Sequence, residues 1–250
     1  KIIQQADDTL HSSKASFESL TKKYEKFKQT NNLEYEPHYP PSQIFLFSIL
    51  FIEVLIETFF NFSFFKEVSE DYIIGGVFTA FFLSIVNVGF LGWFFGKKCF
   101  WYKNHINQTK AALGWLSGGL FLILALLLNY FVANYRVVAT LATKNETNFN
   151  FNEVLNNMFS FSYSLSLNDW FLFLIGFAAA IIAFVTSYNM DDEYPGYGKI
   201  HRQLEESREE YNNTKADIEE ELDQIQKDQI REVSKLSDNL TVNHNMSKSI

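Results

Sequence analysis

The chain has 250 residues, a formal net charge of −8 and 47% hydrophobic residues, and its mean hydropathy of −0.07 would suit a soluble protein. That average conceals a division, because the apolar residues concentrate between Ile44 and Tyr188 while both flanks are polar and charged. Such a division is typical of an integral membrane protein with water-soluble arms. One cysteine and five dispersed histidines exclude a disulfide framework and the usual zinc motifs, so we expect no metal and no cofactor.

The N-terminal arm, residues 1–32, carries a heptad repeat that predicts an amphipathic cytoplasmic helix. The apolar positions that would face a partner helix are Leu10, Phe17, Leu20, Tyr24 and Phe27. A linker with three prolines, residues 33–43, separates this helix from the apolar part of the chain.

Residues 44–190 are predicted to form a four-span membrane domain. The spans are 44–62, 73–95, 113–133 and 170–188, each about 20 residues and hence about 30 Å of helix. Alternation of period two is absent, which excludes a barrel and favours an all-α, four-helix transmembrane bundle. In the second outer loop, after span three, Val154, Leu155, Met158 and Phe159 would share one side of a short interfacial helix or lid.

The basic residues predict the orientation of the bundle. Six Lys or Arg lie in residues 1–43, four in the loop 97–112 and eight in residues 189–250, whereas the opposite side has only Lys66, Arg136 and Lys144. Cytoplasmic segments carry such an excess, so both termini are expected in the cytoplasm of a cell whose plasma (inner) membrane holds the spans.

The C-terminal arm is predicted as an elbow at 191–199, a helix at 200–242 and a frayed tail at 243–250. The elbow would place Tyr194 and Tyr197 at the lipid headgroups. The helix would pair with the N-terminal helix as an antiparallel, coiled-coil-like stalk, although an intermolecular coiled coil remains an alternative. Its apolar contact positions are Leu204, Tyr211, Ile218, Leu222 and Ile225. Residues 189–250 hold 15 acidic and 8 basic residues, which argues against nucleic acid as a partner.

Polar groups inside the spans are the candidate functional residues. Glu53, Glu57 and Asn61 form one stripe on the first span, where each carboxylate would cost about 2.5–3.5 kcal/mol if it faced lipid. Two carboxylates one turn apart oppose joint ionisation, so at least one is expected to be neutral at pH 7.

Depth counted along the spans predicts the partners of this stripe. Asn129 should lie near the level of Asn61, Arg136 should reach inward to Glu57, and Asn87 should lie somewhat below Glu53. Small residues that would let the helices approach recur at every fourth position. They are Gly76, Ala80 and Ser84, Gly92 and Gly96, Gly114 and Gly118, and Gly176 and Ala180.

These features favour a non-enzymatic membrane protein, expected to be oligomeric, that couples a cytoplasmic stalk to a polar transmembrane interior for ion or proton permeation, or for signalling. The Glu stripe would line the path, or it would only fix helix register. The alternative is a membrane anchor or scaffold whose coiled coil recruits a cytosolic partner. A small transporter subunit is a weaker third hypothesis, since broken helices are not visible in the sequence. The expected partners are the lipid bilayer, a second copy and a cytosolic protein.

Overall fold

A computed structural model describes residues 2–65 and 73–248, and these residues form helices and no strand, so the all-α class is confirmed. In chain order the helices are α1 (Ile2–Asn31), α2 (Gln43–Phe65), α3 (Ile73–Ser84), a π-helix (Ile85–Cys99), a 3-10 turn (Phe100–Asn104), α4 (Gln108–Lys144), α5 (Phe151–Ser160), α6 (Leu167–Tyr188) and α7 (Tyr197–Lys248). The chain divides into two units. The arm unit holds residues 1–34 and 199–250, and the bundle unit holds Tyr35–Gly198.

Four helical segments of the bundle unit are long and apolar enough to cross a membrane, which makes the chain a multi-pass membrane protein. They are Gln43–Phe64, Gly75–Asn104, Gln108–Lys144 and Leu167–Tyr188. The number agrees with the sequence-based prediction, but the second and third are longer than predicted. The helix-forming residues at both ends of α4 contain no proline, so the helix continues for several turns beyond the apolar stretch. Most of the predicted loop 97–112 is therefore helical, with a break at residues 105–107.

The second span changes its helical geometry at Ile85, where the α-helical α3 gives way to the 15-residue π-helix. At the end of that segment the Phe100 N–H donates to the carbonyl oxygen of Phe95, five residues back. Hydrophobic periodicity predicted a regular helix, because α- and π-helices both satisfy their backbone groups internally and look alike in an apolar sequence. π-Helical turns are rare and frequently occur at functional sites.

Close helix contacts in the bundle depend on small residues. A methyl group on Gly92 would collide with Ala183, and one on Gly96 would collide with the backbone of Phe184, so the π-helix lies directly against α6. In the same way, a methyl group on Gly114 would collide with the backbone of Lys103. Gly76, Ala80 and Ser84 are all buried, as are Gly176 and Ala180, while Gly118 lies against the ring of Phe100.

The short helix on the predicted outer side, α5, begins at the cap Asn150, whose side chain accepts the N–H of Asn152. Its buried face holds Val154 and Asn157, whereas Leu155 and Phe159 are exposed. The residues of the predicted apolar side therefore do not share one environment, and the role of α5 as an interfacial helix or lid stays a prediction. Asn157 takes the inward position because its amide donates to Oδ1 of Asn134 at 2.7 Å, which satisfies two buried polar groups at once.

In the arm unit, α1 and α7 contact each other over several turns. The Phe17 ring stacks on Tyr211 with centroids 6.0 Å apart, and the Tyr24 ring lies 5.5 Å from that of His201. Because a later residue of α1 contacts an earlier residue of α7, the two helices run antiparallel. The predicted interface residues Leu10, Ile218, Leu222 and Ile225 line one cavity of about 200 Å³, Leu204 is buried, and Leu20 and Phe27 are half-buried.

Helix α7 is longer than predicted. It begins at Tyr197, inside the predicted elbow, and continues to Lys248, beyond the predicted end at residue 242. The reason is compositional, because no glycine or proline follows Gly198 to interrupt the helix.

Candidate functional site: the polar core of the bundle

Asn87 lies at the centre of a buried hydrogen-bond network that joins the four spans. Its side-chain nitrogen donates to Oε1 of Glu57 at 2.8 Å and to the carbonyl oxygen of Gly176 at 2.6 Å. Its side-chain oxygen accepts the amide of Asn129 at 3.2 Å. One residue of the π-helix thereby contacts α2, α4 and α6, and it is only 2% exposed.

The position of Asn87 corrects one prediction. It lies level with Glu57, not below Glu53, because counting from nominal span ends assumed that every helix enters the membrane at the same depth. Asn129 lies in the same layer, and its second N–H donates to the carbonyl oxygen of Ala125 at 2.9 Å. The absence of a side chain on Gly176 is required here, since a Cβ would collide with Oδ1 of Asn129.

Two further residues extend the network toward the predicted outer side. Asn61 donates to Oε1 of Glu57 and to Oγ of Ser84, each at 3.4 Å. The Ser84 hydroxyl in turn donates to the carbonyl oxygen of Ala80 at 2.9 Å. The sequence indicated Ser84 only as a small packing residue, and its polar role becomes visible only when α2 and α3 are placed side by side.

Several buried polar atoms have no hydrogen-bond partner among the described residues. They include Oε2 of Glu57, both carboxylate oxygens of Glu53, Nε1 of Trp93 and Oγ of Ser187. A buried carboxylate oxygen without a donor is costly as an anion, so these two carboxyl groups are suited to holding protons.

Arg136 does not reach Glu57, which corrects a second prediction. Its guanidinium forms an ion pair with Asp169 at 2.5 Å, and its Nε donates to the carbonyl oxygen of Phe64 at 3.2 Å. Asp169 was not predicted as a partner because it lies at the start of α6, where it also forms a capping box with Ser166. Both charges are therefore paired, and only 11% of the Arg136 side chain and 4% of the Asp169 side chain are exposed.

A second buried ion pair closes the opposite end of the bundle, where Nζ of Lys97 lies 3.1 Å from Oδ2 of Asp191. The Lys97 ammonium also lies 4.4 Å from the centroid of the Trp101 ring, and the indole N–H donates to the carbonyl oxygen of Asp192 at 2.6 Å. The sequence indicated Lys97 only as one of the basic residues that set orientation.

Asp192 joins the linker before α2 to the segment after α6. Its carboxylate accepts the Tyr35 hydroxyl at 3.2 Å, the His38 N–H at 2.8 Å and the Tyr194 N–H at 2.8 Å. The Tyr197 hydroxyl donates to the carbonyl oxygen of Tyr35 at 2.6 Å. Tyr194 and Tyr197 are buried in this cluster and do not extend to the headgroups, because hydrogen bonds within the protein satisfy their polar atoms.

The environment of this cluster changes the acid–base properties of its side chains. Burial raises the pKa of Tyr35 above its ordinary value, and the nearby Asp192 carboxylate is the second cause of this increase. Burial also raises the pKa of Tyr194, while burial and the Lys110 ammonium lower the pKa of His105. These groups therefore remain uncharged at neutral pH, which suits a structural cluster.

Polar groups thus recur along one face of α6 from end to end of the bundle. Asp169, the Gly176 carbonyl and Ser187 follow each other on that face, with Ala180 and Ala183 between them, and Asp191 lies just beyond the end of the helix. These residues recur at spacings of three, four or seven in the sequence. The face was not recognised as polar, because the glycine and the two alanines on it have no polar side chain. Within the described residues, no cluster of His, Cys, Asp or Glu could hold a metal ion.

Comparison with models of protein families, with curated proteins and with solved structures found no match for this chain.

Proposed function

We propose that this protein is a non-enzymatic membrane module in which Glu57 and Glu53 bind and release protons inside the bundle, in support of proton permeation or transmembrane signalling. The observation that carries the proposal is the environment of Glu57, which is 3% exposed and held by Asn87 while its Oε2 has no donor among the described residues. A carboxyl group in that position is neutral at rest, and it can ionise only if water or a cation reaches it.

The groups needed for a path occur at successive levels of the bundle. The Arg136–Asp169 pair lies at one end, the Lys97–Asp191 pair lies at the other, and the Glu57 network lies between them. Glu53 is one helical turn from Glu57, and its oxygens are shielded from solvent. Chains of Asp and Glu inside membrane domains are typical of proton relays.

The helical arms complete the proposal. We propose that α1 and α7 form an antiparallel, coiled-coil-like stalk in the cytoplasm, with the spans in the plasma membrane. The stacking of Phe17 on Tyr211 supports pairing within one chain. Because a single four-helix bundle encloses little space, conduction would require self-association or a partner subunit.

The anchor or scaffold function is the second candidate, and a specific observation favours it. Both N–H groups and the oxygen of Asn87 are used within the bundle, and Gly176 packs tightly against Asn129, so the network is also suited to fixing helix register. In that case the exposed apolar residues Ile230 and Val233 of α7 would recruit a cytosolic protein.

Proton flux through reconstituted liposomes separates the two functions. The protein is placed in vesicles with an internal pH-sensitive dye, and a potassium diffusion potential drives protons inward. We expect flux in the wild type, a loss of at least tenfold in Glu57→Gln, and a further loss in the double variant with Glu53→Gln. Glutamine keeps the size and hydrogen-bonding capacity of the side chain but cannot release a proton at these pH values.

Glu220→Gln on the exposed surface of α7 is the matched control, since it removes a carboxylate without changing the bundle. Equal flux in the wild type and in both bundle variants would contradict the proton-binding function. If partner binding through α7 also persisted in those variants, the scaffold function would be supported instead.

A further inference from the structure

An apolar groove of about 400 Å³ opens on the surface of the bundle between the 3-10 turn, α4 and α6. Phe100, Trp115 and Phe184 line it, and its floor on α4 is formed by Gly118 and Gly119. A Cβ on Gly119 would meet nothing within 4 Å, so this glycine faces open space and is not required by any contact within the chain.

A cation lies beside this groove. Nζ of Lys103 is 4.7 Å from the centroid of the Phe100 ring, 5.4 Å from that of Trp115 and 4.5 Å from that of Tyr188. Phe100 and Trp115 are also walls of the groove, which places the ammonium group next to it. Lys103 is half-buried and forms no ion pair with a described residue.

We propose that this groove binds an anionic phospholipid, with one acyl chain along Gly118 and Gly119 and the phosphate on Lys103. Every wall of the groove belongs to a candidate span, which favours an occupant from the bilayer. Basic pockets between transmembrane helices bind anionic headgroups, and aromatic side chains such as Trp115 are favoured at the depth where headgroup and chain meet.

Charge distinguishes a lipid from a second copy of the chain. The segment 97–112 contains Lys97, Lys98, Lys103 and Lys110 and no acidic residue. A twofold contact through this groove would bring two such segments together, and like charges in a membrane interface oppose association. A phosphate group supplies the missing negative charge.

Quenching of tryptophan fluorescence by lipids with brominated acyl chains tests the site, because Trp115 borders the groove. Nanodiscs of unlabelled phosphatidylcholine receive small fractions of brominated phosphatidylglycerol or brominated phosphatidylcholine. We expect the anionic lipid to quench at roughly fivefold lower mole fraction, as one added Lys–phosphate contact predicts. Trp115→Phe should abolish this selective component and leave the signal of the other three tryptophans.

Two variants distinguish the contribution of the Lys103 charge to lipid binding from that of the shape of the groove. Lys103→Gln should remove the preference for the anionic lipid, whereas the control Lys98→Gln, whose ammonium lies over Trp93 outside the groove, should retain it. Gly119→Leu should fill the groove and reduce quenching by both lipids. Equal quenching by both lipids in the wild type, or equal effects of the two lysine variants, would overturn the proposal.

A separate experiment tests whether a second copy of the chain occupies the groove. In a Cys99→Ser background, Gly119→Cys should remain monomeric under mild oxidation in nanodiscs, because a lipid occupies the groove. Formation of a disulfide-linked dimer at that position would overturn the proposal. If Gly119→Leu did not fold, the comparison of Lys103→Gln with Lys98→Gln would still decide the outcome.

Discussion

Asn87 and Glu57 lie 30 positions apart in the sequence, yet a 2.8 Å hydrogen bond from Nδ2 to Oε1 joins them in the interior of the bundle. The same nitrogen holds the carbonyl oxygen of Gly176, so one amide fixes three helices in register. Alternative partners such as water are absent from a hydrocarbon environment, and each of these groups therefore depends on the others.

Replacement of Asn87 with alanine should destabilise the bundle, because it removes one hydrogen bond each from Glu57, Asn129 and the Gly176 carbonyl. Loss of one partner from a buried pair costs about 1–3 kcal/mol. Thermal unfolding of the purified protein in detergent measures the effect. The matched control is Asn213→Ala on the exposed surface of α7, which should leave the unfolding temperature unchanged. Equal unfolding temperatures for the two variants would contradict the central role of Asn87.

Gly176→Ala should also lower the unfolding temperature, although it adds a single methyl group. The new Cβ would collide with the Asn129 side chain and push it away from Asn87, at a cost of about 1–3 kcal/mol for an overpacked site. Gly119→Ala on α4 is the control, because its Cβ would meet nothing within 4 Å. We expect that control to be neutral or slightly stabilising, since alanine favours a helix more than glycine does. A neutral Gly176→Ala would show that α4 and α6 are not in close contact at this level.

Replacing one residue of the Arg136–Asp169 pair should lower the free energy of unfolding more than replacing both residues. Arg136→Met leaves a buried carboxylate and Asp169→Leu leaves a buried guanidinium, each at about 3–5 kcal/mol. The double variant replaces both charges with apolar groups of similar size and should recover much of that loss. A double-mutant cycle on unfolding temperature measures the coupling between the two residues. Additive effects would mean that the pair does not form in the folded protein.

The stability of the bundle unit should fall as the pH rises above the ordinary tyrosine pKa of 10.0. Burial and the Asp192 carboxylate raise the pKa of Tyr35 in the folded chain, so the unfolded chain releases this proton first and gains stability at high pH. Asp192→Asn removes the second of these causes, and the fall above about pH 10 should become less steep. Unfolding temperature measured across that range gives the two slopes. Identical slopes would exclude a contribution from the Tyr35–Asp192 contact.

A disulfide can test whether the arms pair within one chain. The Ser16 and Ser207 hydroxyl oxygens lie 3.3 Å apart, so cysteines at both positions in a Cys99→Ser background should form an intrachain bond. We expect a faster-migrating monomer on a non-reducing gel. As a control, cysteines at Ser16 and Asn213 should not react, because Asn213 is exposed and lies about 1.7 turns further along α7. A disulfide-linked dimer from the Ser16 and Ser207 pair would favour the intermolecular coiled coil.

The candidate site was only partly predictable, and its residues show why. Glu57, Asn61 and Asn129 are polar residues inside apolar runs, and such residues are visible in any sequence because lipid excludes them. The partner of Arg136 was not visible, because the choice between Glu57 and Asp169 depends on where each helix begins and how far it extends. Asp192 was also missed, since an acidic residue after a span is ordinarily solvated and only the folded linker supplies its donors.

The sequence by itself determined the number of spans and the amphipathic character of the arms, because burial of apolar surface follows from the order of residue types along the chain. The tertiary structure decided which polar groups meet, where the second span becomes a π-helix and which face of α5 is buried. Those features depend on relative depth and rotation of the helices, which are fixed by contacts such as that of Gly176 with Asn129. An apolar run specifies that a helix enters the bilayer, but it does not specify the register of that helix against the adjacent helix.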